Sequence, residues 1–527
     1  MFKKRALSKV KGVIYIVELD NDLLSINEMR EAVKHANKAQ QEFERFSQEK
    51  VDYIIKSMAE AAFEASNYLA QLAVEETKMG IVEHKKIKNE LGSLGIYESI
   101  KNVKTVGVIH TDPVKKVTEI AYPFGVIAGI IPTTNPTSTA IFKTLISLKA
   151  RNGIVVSPHP SAVSCTVKAL EICSEAAMKA GAPSGLIGWI TRPTMPATTE
   201  LMKHKDIHLI LATGGGGLVR AAYSSGKPAY GVGPGNVPVY IDKSAHIKEA
   251  VRKIVDSKSF DNGTICATEQ AMVVHKNVKE MTIRELKNND CYFLDKKEKE
   301  KLENIISPIK GKLNPAIVGR SAEHIAEMAG VSVPKGTRVL IAEENLVGKN
   351  VPFSIEKLSP IFAFYTVNDV EEAKEMCHSL LNIGGRGHSL SLHTSDEAVI
   401  HMFGMEMPVS RILVNTLASI GAAGATTGIT PSFTLGCGSY GGNITSDNIT
   451  ARHLLNIKRI AHGIRDVTIP KTSKYPSNNR QEIEKTDQIK QIVTNVIREK
   501  NINSDAIDPE FVSNLVLSIV KQYQTSN

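Results

Sequence analysis

From Ser25 to about Ala73, apolar residues recur at helical spacing, first Ala32, Ala36 and Ala39, then Val51, Ile54, Ile55, Met58 and Ala62. This pattern predicts long amphipathic helices with no site of their own. Between Val103 and Tyr122 the period shortens around His110-Thr111-Asp112-Pro113, predicting a hairpin with its turn there. Strand and helix signals then alternate: strand Phe124–Ile131, helix Ser138–Ala150, strand Gly153–Ser157, helix Ser161–Ala180, and strands Leu209–Thr213 and Asn236–Ile241. Continuous apolar strands between helices predict an α/β fold with a doubly wound parallel sheet. Such sheets bind ligands beyond the carboxyl ends of their strands. A second alternating stretch, from Ala267 to about Thr416, predicts another α/β domain, followed by a glycine-rich segment from Gly421 to Gly442. After about Arg465, Pro470, Pro476 and Ser477-Asn478-Asn479-Arg480 read as a linker. Two short amphipathic helices close the chain. One carries Ile489, Ile492, Val493, Val496 and Ile497; the other starts at Asp508-Pro509 and carries Phe511, Val512, Leu515, Val516, Ile519 and Val520.

Composition narrows the classes. A length of 527 residues suggests several domains, and 42% hydrophobic with 23% charged residues is globular rather than disordered composition. The six cysteines are scattered, with no CxxC and no His/Cys cluster, so neither a disulfide framework nor a metal site is expected. Reduced thiols fit a cytoplasmic setting. Met1-Phe2-Lys3-Lys4-Arg5 resembles the basic start of a signal peptide, but Val13–Val17 is too short for its apolar core. No segment approaches a membrane span. Although the net charge is +9, the basic residues are dispersed and aromatics are only 5%, which argues against nucleic acid and suits an anionic small molecule as well.

Five motifs carry candidate chemistry. In Ser259–Gln270, Cys266 follows the turn dipeptide Asn262-Gly263; a thiol there is more reachable than the usual buried cysteine, which acts as a small hydrophobe. Thr213-Gly214-Gly215-Gly216-Gly217 lies between a strand and a helix, where bare amides suit a phosphate, or where the chain needs only a flexible connection. Ile131-Pro132-Thr133-Thr134-Asn135-Pro136-Thr137 follows a strand, and Asn135 is either an oxyanion donor or part of a turn. Glu356, in Glu-Lys-Leu-Ser-Pro, is either a ribose acceptor or a solvated loop carboxylate. His388, between glycines and an alternating strand, is either a proton carrier near neutral pH or a structural histidine.

Together these segments resemble the aldehyde dehydrogenase superfamily. More narrowly, Ser259–Gln270, Ser157-Pro158-His159-Pro160, Leu435–Asn443 and His453–Lys458 resemble its coenzyme A-acylating branch, which includes the aldehyde-oxidising half of bifunctional aldehyde–alcohol dehydrogenases and enzymes of bacterial microcompartments. The resemblance covers roughly Ser25 to Gly463. It implies the aldehyde dehydrogenase fold, with two Rossmann-like α/β domains and a small β oligomerisation flap. The implied boundaries are 1–102 for helices of the NAD-binding domain, 103–122 for the oligomerisation hairpin, 123–235 for the NAD-binding domain and 236–436 for the catalytic domain. Residues 437–466 would return to the NAD-binding and oligomerisation elements, 467–484 would be a linker and 485–527 the terminal helices.

The resemblance also implies roles. Cys266 is the nucleophile, Asn135 and the Cys266 amide hold the oxyanion, and His388 joins them as a catalytic residue. Thr133, Ser157, His159, Thr213, Gly214, Gly215, Gly216, Gly217, Gly233 and Glu356 bind the cofactor, with coenzyme A as co-substrate and a short-chain aldehyde as substrate. A homodimer or homotetramer is implied. Hydrolytic members carry a glutamate base where this chain has Gly231-Val232-Gly233-Pro234-Gly235-Asn236, so coenzyme A rather than water is expected to release the acyl group. No carboxylate stands at Ser157–Pro160 to repel a 2′-phosphate; NAD is favoured and NADP left open. A hydrolytic dehydrogenase and a non-catalytic scaffold subunit are the alternatives. The iron-dependent alcohol dehydrogenase half is expected to be absent. The terminal helix is either an encapsulation peptide docking on a microcompartment shell protein or an oligomer contact, so the location is cytoplasmic, with a microcompartment interior as the narrower possibility.

Overall fold

The computed structural model describes residues 5–10, 13–18, 20–469, 480–500 and 508–524. Its alternating apolar segments build two parallel sheets. The smaller has five strands in the order Ile187–Trp189, Gly153–Ser157, Val126–Ile130, Ile207–Thr213 and Ala229–Val232. Its central pair is buried at every position, as expected where helices cover both faces. Pro136–Lys149 and Val163–Lys179 are two of those helices; the first begins on a proline, whose fixed φ and missing N–H suit a first turn. Ile187–Trp189 and Ala229–Val232 escaped sequence analysis because strands of three and four residues show no usable period.

The larger sheet has seven parallel strands in the order Cys291–Phe293, Val339–Glu343, Ile361–Val367, Glu269–His275, Val237–Ile241, Gly387–His393 and Val409–Val414. The N-terminal helices Asn21–Phe43 and Gln48–Glu64 belong to the core of the smaller sheet, where Phe43, Ile54 and Met58 join the cluster of Phe142 and Leu145.

A third, antiparallel sheet orders Leu455–Ala461, Val117–Pro123 and Gly107–Asp112. The hairpin reverses later than its sequence suggested: His110–Asp112 are still strand. The turn follows because Asp112 Oδ1 accepts from the amides of Val114 and Lys115, both at 2.9 Å. Asn152 ties this sheet to the smaller parallel one. Its Oδ1 accepts from the amides of Phe124 (2.7 Å) and Gly125 (3.0 Å), and its Nδ2 donates to the Leu454 carbonyl at 2.9 Å.

The chain divides after Ala461 into a second unit. Within it, Arg480–Glu499 and Pro509–Gln524 are helices, and Phe511, Leu515, Ile519 and Val520 of the latter are exposed. Residues 480–484, expected in the linker, are already helical, whereas 470–479 lie outside the described residues, as does the basic start 1–4. The apolar run Val13–Val17 is part of a strand paired antiparallel with Arg5–Val10. Among the described residues no helix is long and apolar enough to cross a membrane.

Replacing Asn152 by Ala strands a buried amide, a half-buried amide and a buried carbonyl. The variant is expected to lose about 2–4 kcal/mol of stability, read as a lower urea midpoint; an unchanged midpoint would show that the clamp carries no stability.

Candidate active site

Loops leaving four adjacent strands of the smaller sheet meet the approaches to the larger sheet in one cleft of about 360 Å³. Pro132–Asn135 follow Val126–Ile130, and His159 follows Gly153–Ser157; Thr213–Gly215 close Ile207–Thr213, and Gly233 follows Ala229–Val232. Cys266 and Glu356 face them from segments that precede strands of the larger sheet. Thr133, Asn135, His159, Thr213, Gly214, Gly215, Gly233, Cys266 and Glu356 are thus brought together. Ser157 is buried beside the cleft, its hydroxyl 2.8 Å from that of Thr198. Gly216 and Gly217 open the helix Gly216–Tyr223.

The segment before Cys266 is unusual. Asp261, Asn262 and Gly263 take φ values of 49°, 53° and 73° in succession, a left-handed run that side chains resist. Tertiary bonds hold it. The Asp261 amide donates to His84 Nδ1 at 2.8 Å, and Asn262 Nδ2 to the Gly319 carbonyl at 3.0 Å. The kink leaves Cys266 partly exposed, whereas Cys165, Cys173, Cys291, Cys377 and Cys437 are buried. Burial, with Glu356 and Cys437 nearby, pushes the Cys266 thiol up to about 12, against the pull of Arg411.

Asn135 caps the helix Pro136–Lys149 in position but not with its side chain. That amide is held instead by Lys88 Nζ, which donates to its Oδ1 at 2.6 Å, while its Nδ2 donates to Thr134 Oγ1 at 3.1 Å. Lys85, Lys88 and Asp261, each fully or almost fully buried, form a cluster beneath it. Sequence analysis missed these residues. Lys85 and Lys88 lie three apart in the polar helix Val82–Glu90 and read as a solvated face; only the fold turns them inward.

The opposite wall fits a nucleotide. The hydroxyls of Thr133 and Thr213 are buried without a partner, so they await one. A Cβ on Gly215, Gly217 or Gly233 would touch nothing within 4 Å. Packing does not require glycine there, whereas a closely approaching ligand would. Glu356 is no solvated loop carboxylate: its Oε1 accepts from the Gly235 amide at 2.8 Å, and burial pushes it up to about 8.

His388 differs from its expectation. Its side chain is fully buried rather than lining the cleft, Nδ1 lies 3.1 Å from Ser389 Oγ, and Nε2 has no partner. Burial, helped by the Arg411 guanidinium, lowers it to about 3, so it is a neutral imidazole rather than a group titrating near pH 7. It stays close to the Cys266 backbone: a Cβ on Gly235 would lie 3.2 Å from its ring and 2.2 Å from the Cys266 carbonyl oxygen.

A second cavity, of about 400 Å³, includes Ile265, the chain neighbour of Cys266, and Lys88, which bonds Asn135. It is lined by Ile87, Lys88, Leu91, Phe260, Ile265 and Phe433 among others. Tyr440 is exposed and sits under the Arg386 guanidinium.

A nucleotide-shaped cleft on a doubly wound sheet, faced by one accessible cysteine and a fixed amide, defines a nucleotide-dependent enzyme class that works through a thiol. The aldehyde dehydrogenase family model matches residues 22–341, and this chain belongs to that family. It is 49% identical over 442 residues to the bifunctional aldehyde-alcohol dehydrogenase of Escherichia coli, covering 83% of this chain and 50% of that protein. It therefore spans about half the length of the curated aldehyde–alcohol dehydrogenases it matches. An acetylating succinate-semialdehyde dehydrogenase of Clostridium kluyveri is 35% identical, with 84% and 97% of the two chains covered. Among solved structures, an acetylating aldehyde dehydrogenase from Geobacillus thermoglucosidasius shares 55% identity with a TM-score of 0.84, covering 85% of this chain and 99% of that one. A propionaldehyde dehydrogenase from a Clostridium phytofermentans microcompartment shares 30% (TM-score 0.74; 82% and 97% covered) and has been solved with a histidine or a cysteine replaced by alanine. More distant neighbours hold NADP+ in an engineered glycolyl-CoA reductase (28%, TM-score 0.74; 82% and 96% covered) and coenzyme A beside an acylated cysteine in a Rhodopseudomonas palustris propionaldehyde dehydrogenase (27%, TM-score 0.73; 82% and 97% covered).

With its thiol near 12, Cys266 of the free protein should be alkylated by iodoacetamide about tenfold faster per pH unit from 7 to 9. A plateau below pH 8 would show a thiolate already formed.

Proposed function

We propose that this chain oxidises a short, uncharged aldehyde to its acyl-coenzyme A, reversibly and with NAD as acceptor. The observation that carries this is the meeting of Cys266, Asn135, Glu356 and the Thr213–Gly215 turn in one cleft. Cys266 as thiolate adds to the aldehyde carbonyl, forming a thiohemiacetal. Its oxyanion is held by Asn135 Nδ2 and the Cys266 amide. When bound, the nicotinamide supplies the hydride acceptor. Glu356 would hold its ribose, and Thr133, Ser157, His159, Thr213, Gly214–Gly217 and Gly233 the rest of the dinucleotide. The absence of a carboxylate from Ser157–Pro160 leaves NADP as the second cofactor to test.

Release of the acyl group falls to the thiol of coenzyme A. The Gly231–Asn236 turn has no carboxylate to activate water, and Glu356, near pKa 8 and bonded to Gly235, is mostly protonated at neutral pH. Attack by the coenzyme A sulfur on the thioester frees Cys266, and the coenzyme A proton ends on that leaving sulfur. His388, with its unpartnered Nε2, is our proposed relay for that proton.

The acyl chain would occupy the second cavity, whose lining is mostly apolar and includes Ile265, the neighbour of Cys266. Lys88 is the one cation among its described lining residues, and Asp261, Asn135 and Thr264 take its donors. A carboxylate or sulfonate there would be buried without a partner. The named substrates of some relatives, succinate semialdehyde and sulfoacetaldehyde, are therefore disfavoured.

The assembly proposed is a dimer or tetramer paired through the antiparallel sheet, supported by exposed Val108, Tyr122 and Ile460 on its strands. The apolar stripe of Pro509–Gln524 is our candidate for docking on a microcompartment shell protein, in a cytoplasmic setting.

An NADH assay with and without coenzyme A should show turnover only with it. Acetaldehyde and propionaldehyde should exceed succinate semialdehyde by about tenfold or more, and Cys266→Ala should be inactive. Full turnover to free acid without coenzyme A would favour a hydrolytic dehydrogenase, and an inactive wild type a scaffold. In His388→Ala, a normal first burst of NADH with slow coenzyme A-dependent turnover is expected; loss of the burst would count against the relay. Deleting Lys485–Asn527 should spare activity and abolish shell co-purification, whereas retained co-purification would exclude the docking role.

A further inference from the structure

The helix Val82–Glu90 sends two lysines inward toward a single carboxylate. Asp261 does not need both. Its Oδ1 accepts from the Ile81 amide at 2.8 Å, and its Oδ2 from Lys85 Nζ at 3.0 Å and Thr264 Oγ1 at 2.7 Å. Lys88 nevertheless lies in the same cluster, 2% exposed, at the considerable cost of burying a second ammonium. Its three hydrogens meet three acceptors: Asp261, Thr264 Oγ1 at 2.9 Å and Asn135 Oδ1 at 2.6 Å.

The last contact has a chemical consequence. An amide can face either way, and its two ends differ only in whether they donate or accept. An ammonium has no lone pair, so it tolerates only Oδ1 against it. The flipped amide would set two donors face to face, with buried charge on one side. Lys88 therefore fixes Asn135 with Nδ2 turned away from the cluster. One Nδ2 hydrogen goes to Thr134 Oγ1, and the other remains for an oxyanion. The placement agrees: Asn135 and Cys266 line the cleft that holds Thr213–Gly215, whereas Lys88 is not among its lining residues and lines the second cavity instead.

We propose that Lys88 is a positioning residue for the aldehyde chemistry, acting through Asn135 by locking the side-chain amide as an oxyanion donor. This rests on the oxyanion role of Asn135, so the test separates the two. Asn135→Ala, Lys88→Met and the double variant are compared by steady-state kinetics with propionaldehyde, NAD and coenzyme A. Each single variant should lower kcat by about a hundredfold, with KM for NAD within about twofold of wild type. The double variant should be no slower than Asn135→Ala by more than about threefold, since residues acting as one unit are not additive. Multiplying effects would overturn the role of Lys88 while leaving Asn135 standing, and so would a change confined to KM. An unchanged kcat in Asn135→Ala would instead overturn the oxyanion reading. If Lys88→Met yields no folded protein, Lys88→Gln carries the same cycle. Its neutral amide keeps a donor for Asn135 Oδ1, so it should retain more kcat than Asn135→Ala; equal loss would overturn the proposal.

Discussion

The carboxylate of Asp261 is the constraint on which the rest of the site depends. It stands first in a run of three left-handed residues that would not hold this shape as a free peptide. Two lysines, a backbone amide and a threonine hydroxyl converge on it. Burial alone would raise its pKa; the two ammonium groups hold it down to about 2, so it stays charged. The same cluster fixes the kink that exposes Cys266 and, through Lys88, the amide that faces it. One buried ion cluster thus spans the N-terminal helices, the smaller sheet's Pro132–Asn135 loop and the segment that carries Cys266.

Around that cluster the two sheets divide the labour by their direction. The smaller sheet presents its carboxyl ends, where loops carry threonines and glycines suited to a nucleotide. The larger sheet presents the approaches to its strands, which carry Cys266 and Glu356. Both groups lie in surroundings that disfavour charge, the thiol near 12 and the carboxyl near 8. In the free protein these surroundings favour the neutral thiol and the neutral carboxyl.

Much of this was legible along the chain. Strand Gly153–Ser157 coincides with its apolar run, and the helices Pro136–Lys149 and Val163–Lys179 lie within two residues of their expected ends. Long apolar periods survive any tertiary context. Cys266, Asn135, Thr213–Gly215 and Glu356 announced themselves through turn chemistry and resemblance, and the fold gathers them. The hairpin turn was placed too early because an Asx turn at Asp112 outweighs the His110–Pro113 pattern.

The sequence by itself determined the α/β class and, through its motifs, the family, because apolar periodicity and short motifs are local properties; it also singled out Cys266 as the cysteine that follows a turn. Only the tertiary structure decided that Lys85 and Lys88 point inward, that Asn152 clamps the antiparallel sheet to the smaller parallel one, and that His388 is buried and neutral. Each of these depends on partners distant in the chain. A polar residue's chemistry is set by what surrounds it, and its own segment carries no record of those surroundings.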